Sequence, residues 1–380
     1  MVRGFRGPCL TKSGPQPFSL PKDGFLADEV SVVMPTVSRP PHFTPPPSDP
    51  PHAGPTVLFD ATHGQANWSQ TGYASREMHS NFAGVTQALC RLGCTCASAN
   101  ERPLGRLLAQ AKLLVVPPPT GRYHARKECW QAQSASLFTP EEIQDILAFL
   151  RQGGRLLAFA YRFGDSFTQT NLRDLFTPLG CLLGDDVILD LPTLRTTPPL
   201  QACFDTTADL LPLAWFRPGV ERVRWRAMAT FTLLPGATAQ PIALSPGGRC
   251  IAFDRTHRRL RFDSRPIAVA GLHHQGRFAL LGGPHAFETG PFGLLGEANN
   301  ARFLQNVLQW LLADDPAEGQ SLRLTLAQPL HWHPLTSADE EMQFGQVECH
   351  GRGQPAIAAV ERLLRKTGVL KALARPRWQP

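Results

Sequence analysis

Two short stretches carry most of the residues whose side chains can do acid–base or metal chemistry. In VLFDATHGQ, the residues Asp60, His63 and Gln65 follow a short apolar run, and in LLGGPHAFE the residues His285 and Glu288 follow another. A carboxylate beside an imidazole can transfer protons, and the same side chains bind divalent metals. Both stretches therefore hold candidate catalytic residues. The alternative for Asp60 and His63 is ordinary hydrogen bonding in the loop after a strand.

The four acid–base candidates would form one active site only if they meet in one pocket. Convergence of Asp60, His63, His285 and Glu288 would give a hydrolase that works with water or a metal ion. The cysteines form no CxxC pair, and no Cys/His spacing is typical of a zinc site. We therefore expect reduced core thiols, no resident metal and no cofactor.

Strand and helix patterns alternate along the middle of the chain. Apolar runs such as TVLFD, KLLVV, RLLAFAY and DDVILDL predict strands, and the stretches between several of them have helical spacing. The clearest helix is TPEEIQDILAFLRQGG, with Thr139 as N-cap, Pro140 at the first helical position and Glu142 at the capping-box position. This alternation predicts an α/β fold with a mostly parallel sheet covered by helices on both faces.

In such a sheet, ligands bind at the carboxyl ends of the strands. The residues that follow the predicted strands at that edge are the expected lining of a ligand cleft: Asp60, His63, Gln65, Arg162, Asp165 and His285. The sequence after RLLAFAY also places Ser166 near this edge.

The ends of the chain differ in composition from its middle. Residues 1–55 are rich in proline and predict a disordered segment, and residues 56–315 form the predicted α/β domain. Within that domain, residues 192–265 have short β-like runs between proline and glycine turns and predict a β-rich insertion. Residues 316–380 are expected to form an arm and a basic amphipathic helix.

Charge and hydropathy limit the partners of the chain. A net charge of +7 over 380 residues is mild and does not favour a nucleic-acid partner. No apolar run approaches the roughly 20 residues of a membrane span, and the first residues lack a signal-peptide core. We therefore expect a cytoplasmic protein that contacts protein partners through its proline-rich N-terminus and its C-terminal helix.

Several motifs together resemble the class I glutamine amidotransferase-like superfamily. They are VLFDATHGQANW, the helix–GG–strand unit FTPEEIQDILAFLRQGGRLLAFAY, and GLLGEANNARFLQNVLQWLL near the end of the domain. Within the superfamily they are similar to the non-catalytic GIFT-type branch of gliding-motility and intraflagellar-transport proteins, and to related bacterial domains of unknown function. The resemblance covers residues 55–315 and implies a flavodoxin-like three-layer fold.

The resemblance also implies a role without catalysis. The catalytic members carry a cysteine on the sharp turn after a central strand, where the turn exposes the sulfur. The corresponding turn here is Ala160 to Phe163 and has neither cysteine nor serine. The expected function is thus a pseudoenzyme that binds or scaffolds within a bacterial multiprotein system. The alternative is the hydrolase described above.

Overall fold

A computed structural model describes the central part of the chain. The described residues are 54–63, 82–99, 102, 104–119, 122–124, 129–131, 133–193, 202–254, 259–290, 293–314 and 342–343. The proline-rich segment up to residue 53, the candidate cleft residue Gln65 and the C-terminal helical stretch lie outside them. No helix within these ranges is both long enough and apolar enough to cross a membrane.

The described residues form seventeen strands and six α-helices. In chain order they are β1 (Thr56–Asp60), α1 (Ala83–Arg91), β2 (Thr95–Ala99), α2 (Gly105–Leu108), β3 (Leu113–Val116), β4 (Arg122–His124), β5 (Cys129–Gln131), α3 (Pro140–Arg151), β6 (Arg155–Phe159), α4 (Gly164–Thr168), α5 (Leu172–Phe176), β7 (Cys181–Leu183), β8 (Asp186–Asp190), β9 (Cys203–Thr207), β10 (Arg222–Arg226), β11 (Phe231–Leu233), β12 (Gln240–Leu244), β13 (Cys250–Asp254), β14 (Arg259–Arg261), β15 (Pro266–His273), β16 (Gly276–Leu281), α6 (Asn300–Leu312) and β17 (Met342–Gln343).

The centre of the fold is a seven-stranded sheet with the order β12-β15-β16-β6-β3-β1-β2. The five strands from β16 to β2 are parallel to one another. Strands β3 and β6 are buried at every position, which explains their continuous apolar sequences LLVV and RLLAF. The predicted α/β, flavodoxin-like fold with a mostly parallel sheet is confirmed.

Alternate side chains of these strands feed two cores on opposite faces of the sheet. One core joins Val57 and Phe59 of β1 to buried residues of α1 and α6. The other joins Leu58 of β1 to buried residues of α2 and α3. Because strand side chains alternate between faces, a strand buried on both sides must be apolar throughout. Helices, sheet and helices thus form three layers.

The end of α6 is held by two arginines at the amino ends of the central strands. Arg277 Nη1 donates to the carbonyl of Trp310 at 2.6 Å, and Arg155 Nε donates to the carbonyl of Leu311 at 2.8 Å. These carbonyls belong to the last helical turn, where no N–H group of the helix donates to them and partial negative charge accumulates. Burial and the neighbouring charge of Arg277 lower the pKa of Arg155 to about 10. The closing helix is therefore fixed to β6 and β16 by charge-assisted bonds.

The outer strands of the sheet differ from its centre in two ways. Strand β15 is antiparallel to β16. His273 pairs with Gly276, so only two residues connect the strands, and a two-residue turn joins antiparallel strands only. Strand β2 lies at an edge of the sheet, and its residues alternate between exposed and half-buried up to the buried Ala99.

The expected β-rich insertion also has different limits. Strand β8, assigned from sequence to the parallel series, pairs antiparallel with β13 in a separate four-stranded sheet. Strand β12, assigned from sequence to the insertion, instead pairs with β15 in the central sheet. Both strands are short apolar runs, and such runs do not encode which neighbour they pair with. The predicted β-rich character of this region agrees with the short antiparallel strands found there.

Candidate functional site

Three strands of the central sheet deliver polar residues to the same edge. Strand β1 ends at Asp60, β6 ends at Phe159 and β16 ends at Leu281. Because these strands are parallel, their carboxyl ends lie at one edge of the sheet. The residues that follow them are the candidates for a binding or catalytic cleft.

After β1, the imidazole of His63 lies between two carboxylates. Its Nδ1 is 2.7 Å from Asp60 Oδ2, and its Nε2 is 3.4 Å from Glu142 Oε2. The backbone N–H and the hydroxyl of Thr62 both donate to Asp60 Oδ1 at 2.9 Å. One face of the ring stacks on Phe138, with 3.8 Å between centroids. The sequence-predicted pair Asp60 and His63 is therefore in direct contact, with a second acid that was not predicted to join it.

Glu142 was identified from sequence only as part of a helix cap. In the structure it both caps α3 and contacts His63. The Thr139 hydroxyl accepts from the backbone N–H of Glu142 at 3.2 Å, and Glu142 Oε2 accepts from the backbone N–H of Thr139 at 2.9 Å. Its Oε1 lies 3.2 Å from Arg102 Nε. A capping-box glutamate turned back toward its helix N-terminus points at the strand ends, because α3 begins at that edge of the sheet. The capping-box spacing of Thr139 and Glu142 was the only feature of the sequence that indicated this direction of the Glu142 side chain.

This group, which we call the His63 network (Asp60, Thr62, His63 and Glu142), lies out of contact with solvent. The side chains of Asp60 and His63 are fully buried, and that of Glu142 is almost so. A carboxylate accepts hydrogen bonds but does not donate them, so the 2.7 Å contact with Asp60 uses the Nδ1–H of the ring. An imidazole in this setting joins the end of β1 to the start of α3.

After β16, a second histidine–carboxylate pair has a different setting. Nδ1 of His285 lies 2.7 Å from Glu288 Oε2, and both side chains are at least nine-tenths buried. The ring of His285 meets the ring of Tyr161 edge to face at 5.8 Å. Its Nε2 has no hydrogen-bond partner in the described part of the chain, and 9% of the His285 side chain is exposed. Among the described residues the imidazole is therefore held at Nδ1 alone.

The two pairs do not form one cluster. Strands β1 and β16 are separated by β6 and β3 in the sheet, and three interstrand steps amount to about 14 Å. Among the described residues, no group of three or more His, Cys, Asp or Glu side chains is arranged to hold a metal ion. Asp60 and His63 meet each other, and so do His285 and Glu288.

The turn after β6 has the backbone of a nucleophile elbow and an apolar side chain. Phe163 has φ 61°, in the left-handed region that non-glycine residues rarely adopt, and the short helix α4 follows at once. Gly164 also has a positive φ, and a Cβ there would lie 2.6 Å from the carbonyl oxygen of Gly184. The Phe163 ring is buried and packs against Phe253 and Phe167. An apolar core side chain thus occupies the strained position.

The remaining residues of this loop fall into two groups. Asp165 is turned inward, where it accepts from the backbone N–H groups of Leu172 and Arg173 at 2.9 and 2.8 Å and from the hydroxyl of Thr170 at 2.8 Å. Burial raises the pKa of its carboxyl despite these bonds. The hydroxyl of Ser166 donates to the carbonyl of Phe163 at 3.0 Å. Both side chains therefore hold the loop together.

Arg162 is turned the other way, toward aromatic rings. Its Cζ lies 5.0 Å from the centroid of Tyr161 and 5.6 Å from that of Phe167, and the two rings are nearly parallel. Tyr161 also contacts His285, so one ring touches both the arginine and the histidine. Arg162 and His285 were predicted from the sequence to line the cleft. The contact of Tyr161 with both of them was not predicted.

Comparison with known proteins bears on the fold. The chain is similar to a structure described as the mmIFT52 N-terminal domain, with 20% identity and a TM-score of 0.51 over 68% of this chain and 98% of that one. The cytoplasmic protein STM1381 from Salmonella typhimurium LT2 has 15% identity and a TM-score of 0.42 over 67% and 99% of the two chains. A ThuA-like protein from Bacteroides uniformis ATCC 8492 has 13% identity and a TM-score of 0.41 over 71% and 97%.

These similarities concern architecture and not activity. The mmIFT52 match supports the α/β fold, and at 20% identity it shows the fold alone. The other two matches have TM-scores too low to add to this assignment. No family model matches the sequence, and no curated protein does.

Proposed function

We propose that this chain is a non-catalytic, GIFT-type amidotransferase-like protein that serves as a binding or scaffold component of a bacterial multiprotein system. In this proposal the strand-end cleft binds a ligand or partner, and the proline-rich N-terminus and the C-terminal helix are docking arms for other proteins. The protein works in the cytoplasm, and nucleic acid is not its partner.

The observation that carries the proposal is the side chain at the strained turn. Acyl transfer by this fold needs a thiol or hydroxyl on the turn after the central strand, aimed into the cleft. Here that turn carries Phe163, whose ring is buried against Phe253. The nearest serine hydroxyl along the chain, that of Ser166, is engaged with a backbone carbonyl. The residue with the strained backbone, Phe163, has an apolar side chain that cannot act as a nucleophile. This favours binding over covalent chemistry.

Site-directed cross-linking in the cells from which the chain comes tests this role. A photoreactive phenylalanine analogue at Tyr161 places the probe in the cleft, and the same analogue at Arg151 is the control. Arg151 is exposed at the end of α3, at the opposite edge of the sheet. We expect a defined set of proteins to be captured from position 161 and not from position 151. Capture of the same proteins from both positions, or of none from position 161, would contradict the proposal.

The hydrolase alternative rests on the His285 pair. An imidazole held at Nδ1 by a carboxylate, with Nε2 unpaired among the described residues, is the arrangement of a general base that activates water. Its test is turnover of amide and ester substrates by the wild type and by His285→Gln. Turnover that this substitution abolishes would favour the enzyme.

A further inference from the structure

The guanidinium of Arg162 is charged, half-buried and without a polar partner among the described residues. Within these ranges it makes no hydrogen bond or ion pair, although its Nε is fully buried. Other partly buried arginines are paired: Arg224 with Asp205 at 2.9 Å and Arg265 with Asp263 at 3.2 Å. Unpaired arginines on exposed helix surfaces are solvated by water, but a half-buried one loses part of that solvation. Arg162 therefore has an unsatisfied preference for an anion.

The aromatic rings fix where that anion would bind. Contacts with Tyr161 and Phe167 hold the guanidinium plane and reduce the entropy lost when a ligand binds. Because Nε is fully buried, a ligand has to meet the guanidinium at its outer end, which carries the two Nη atoms. This end presents two parallel N–H groups, which match the two oxygens of a carboxylate.

The neighbouring histidine adds a second requirement for the ligand. Glu288 can only accept, so Nδ1 of His285 carries the hydrogen of the 2.7 Å contact. In the neutral ring, Nε2 is then an acceptor without a partner among the described residues. A ligand that reaches Nε2 is held best by a hydroxyl or amino group that donates to it.

The charge of the site separates a carboxylate from a phosphate. Arg162 supplies one positive charge, and the carboxylate of Glu288, bound to His285, supplies a negative charge nearby. A monoanion is balanced by a single guanidinium, whereas a phosphate dianion would keep excess negative charge close to Glu288.

We propose that the strand-end cleft binds a small carboxylic acid, with its carboxylate on the Nη atoms of Arg162 and a hydroxyl or amino donor on Nε2 of His285. This rests on the proposed function, because it names the ligand class of the same cleft.

The probes for this site are lactate, acetate and inorganic phosphate at constant ionic strength. Lactate has the carboxylate and a hydroxyl donor, acetate lacks the donor, and phosphate is the competing oxyanion. Saturation-transfer NMR titrations of the full chain give the dissociation constants. We expect saturable lactate binding, weaker acetate binding and weaker phosphate binding.

Substitutions then assign the contacts. Arg162→Gln is expected to raise the dissociation constant of lactate by about tenfold or more, the usual effect of losing a charge-assisted hydrogen bond. Arg162→Lys keeps the charge but not the paired N–H groups and should give a smaller loss. His285→Gln should remove the difference between lactate and acetate. Arg151→Gln, the matched exposed control, should change neither constant.

Three results would overturn the inference. They are the absence of saturable carboxylate binding, equal lactate affinity in the wild type and Arg162→Gln, and phosphate binding as tight as that of lactate. A failure of the proposed function is distinguishable, since turnover dependent on His285 is compatible with carboxylate binding at Arg162. Conversely, partner capture from position 161 can persist when none of these probes binds.

Discussion

Replacing His63 with leucine is expected to destabilise the fold strongly. The imidazole lies between Asp60 and Glu142 with its side chain fully buried. Leucine fills a similar volume against Phe138, but it offers no N–H group to either acid. Two buried carboxylates are then left without the group that lies between them.

The size of the effect follows from that loss. Removing one partner of a buried ionic contact typically costs about 3–5 kcal/mol, because the remaining charge stays desolvated. His63→Gln keeps one donor and should cost about 1–3 kcal/mol, the range for a buried polar group that loses a hydrogen bond. The order of stability should therefore be wild type, then His63→Gln, then His63→Leu.

Urea unfolding at neutral pH, followed by circular dichroism, measures these differences. The matched control is His274→Asn, since His274 is exposed in the β15–β16 turn and asparagine tolerates its positive φ of 54°. Its stability should stay within about 0.5 kcal/mol of wild type. If His63→Leu also unfolds within that margin of the wild type, the His63 network does not stabilise the end of β1.

Three further predictions test the capping, titration and burial of particular groups. Thr139→Ala should destabilise the chain by about 1 kcal/mol through loss of the N-cap bond of α3, measured by urea unfolding. Burial raises the pKa of Asp186, so the folded chain keeps this proton at pH values where the unfolded chain has lost it. The contribution of Asp186 to the free energy of unfolding should therefore fall as pH rises above about 4. In unfolding measured from pH 3 to 7, Asp186→Asn should lessen that fall. A maleimide should label the exposed Cys90 in the folded chain. It should label the buried Cys181 only after unfolding, since burial raises the pKa of this thiol to about 12. Labelling of Cys181 in the folded protein would contradict its burial.

The fold was predictable where the local pattern of the sequence determines the element. The α3 helix illustrates this, because Thr139, Pro140 and Glu142 specify its start and the structure has the complete capping box. The buried face of α6 is another case, since Phe303, Val307, Trp310 and Leu311 recur at helical spacing and are fully buried. Strand partners were less predictable: β8 and β12 are apolar in either setting, and only tertiary packing decides which sheet each strand joins.

The candidate site was predictable as a set of residues but not as contacts. The rule for strand ends indicated Asp60, His63, Arg162 and His285 together, and the structure divides them between separate groups. Which residues meet depends on the sheet order, and a sequence pattern does not encode that order. The contact of Glu142 with His63 and the position of Tyr161 between Arg162 and His285 arise from elements far apart in the chain.

Whether the chain has turnover at the strand-end cleft is the most direct test of a non-catalytic role. The measurement is the release of ammonia from glutamine and of p-nitrophenol from short esters, by purified wild type and His285→Gln at matched concentration. We predict the same background rates for both proteins, because the strained turn presents Phe163 and not a nucleophile. Turnover by the wild type that disappears in His285→Gln would contradict this account and establish the cleft as an active site.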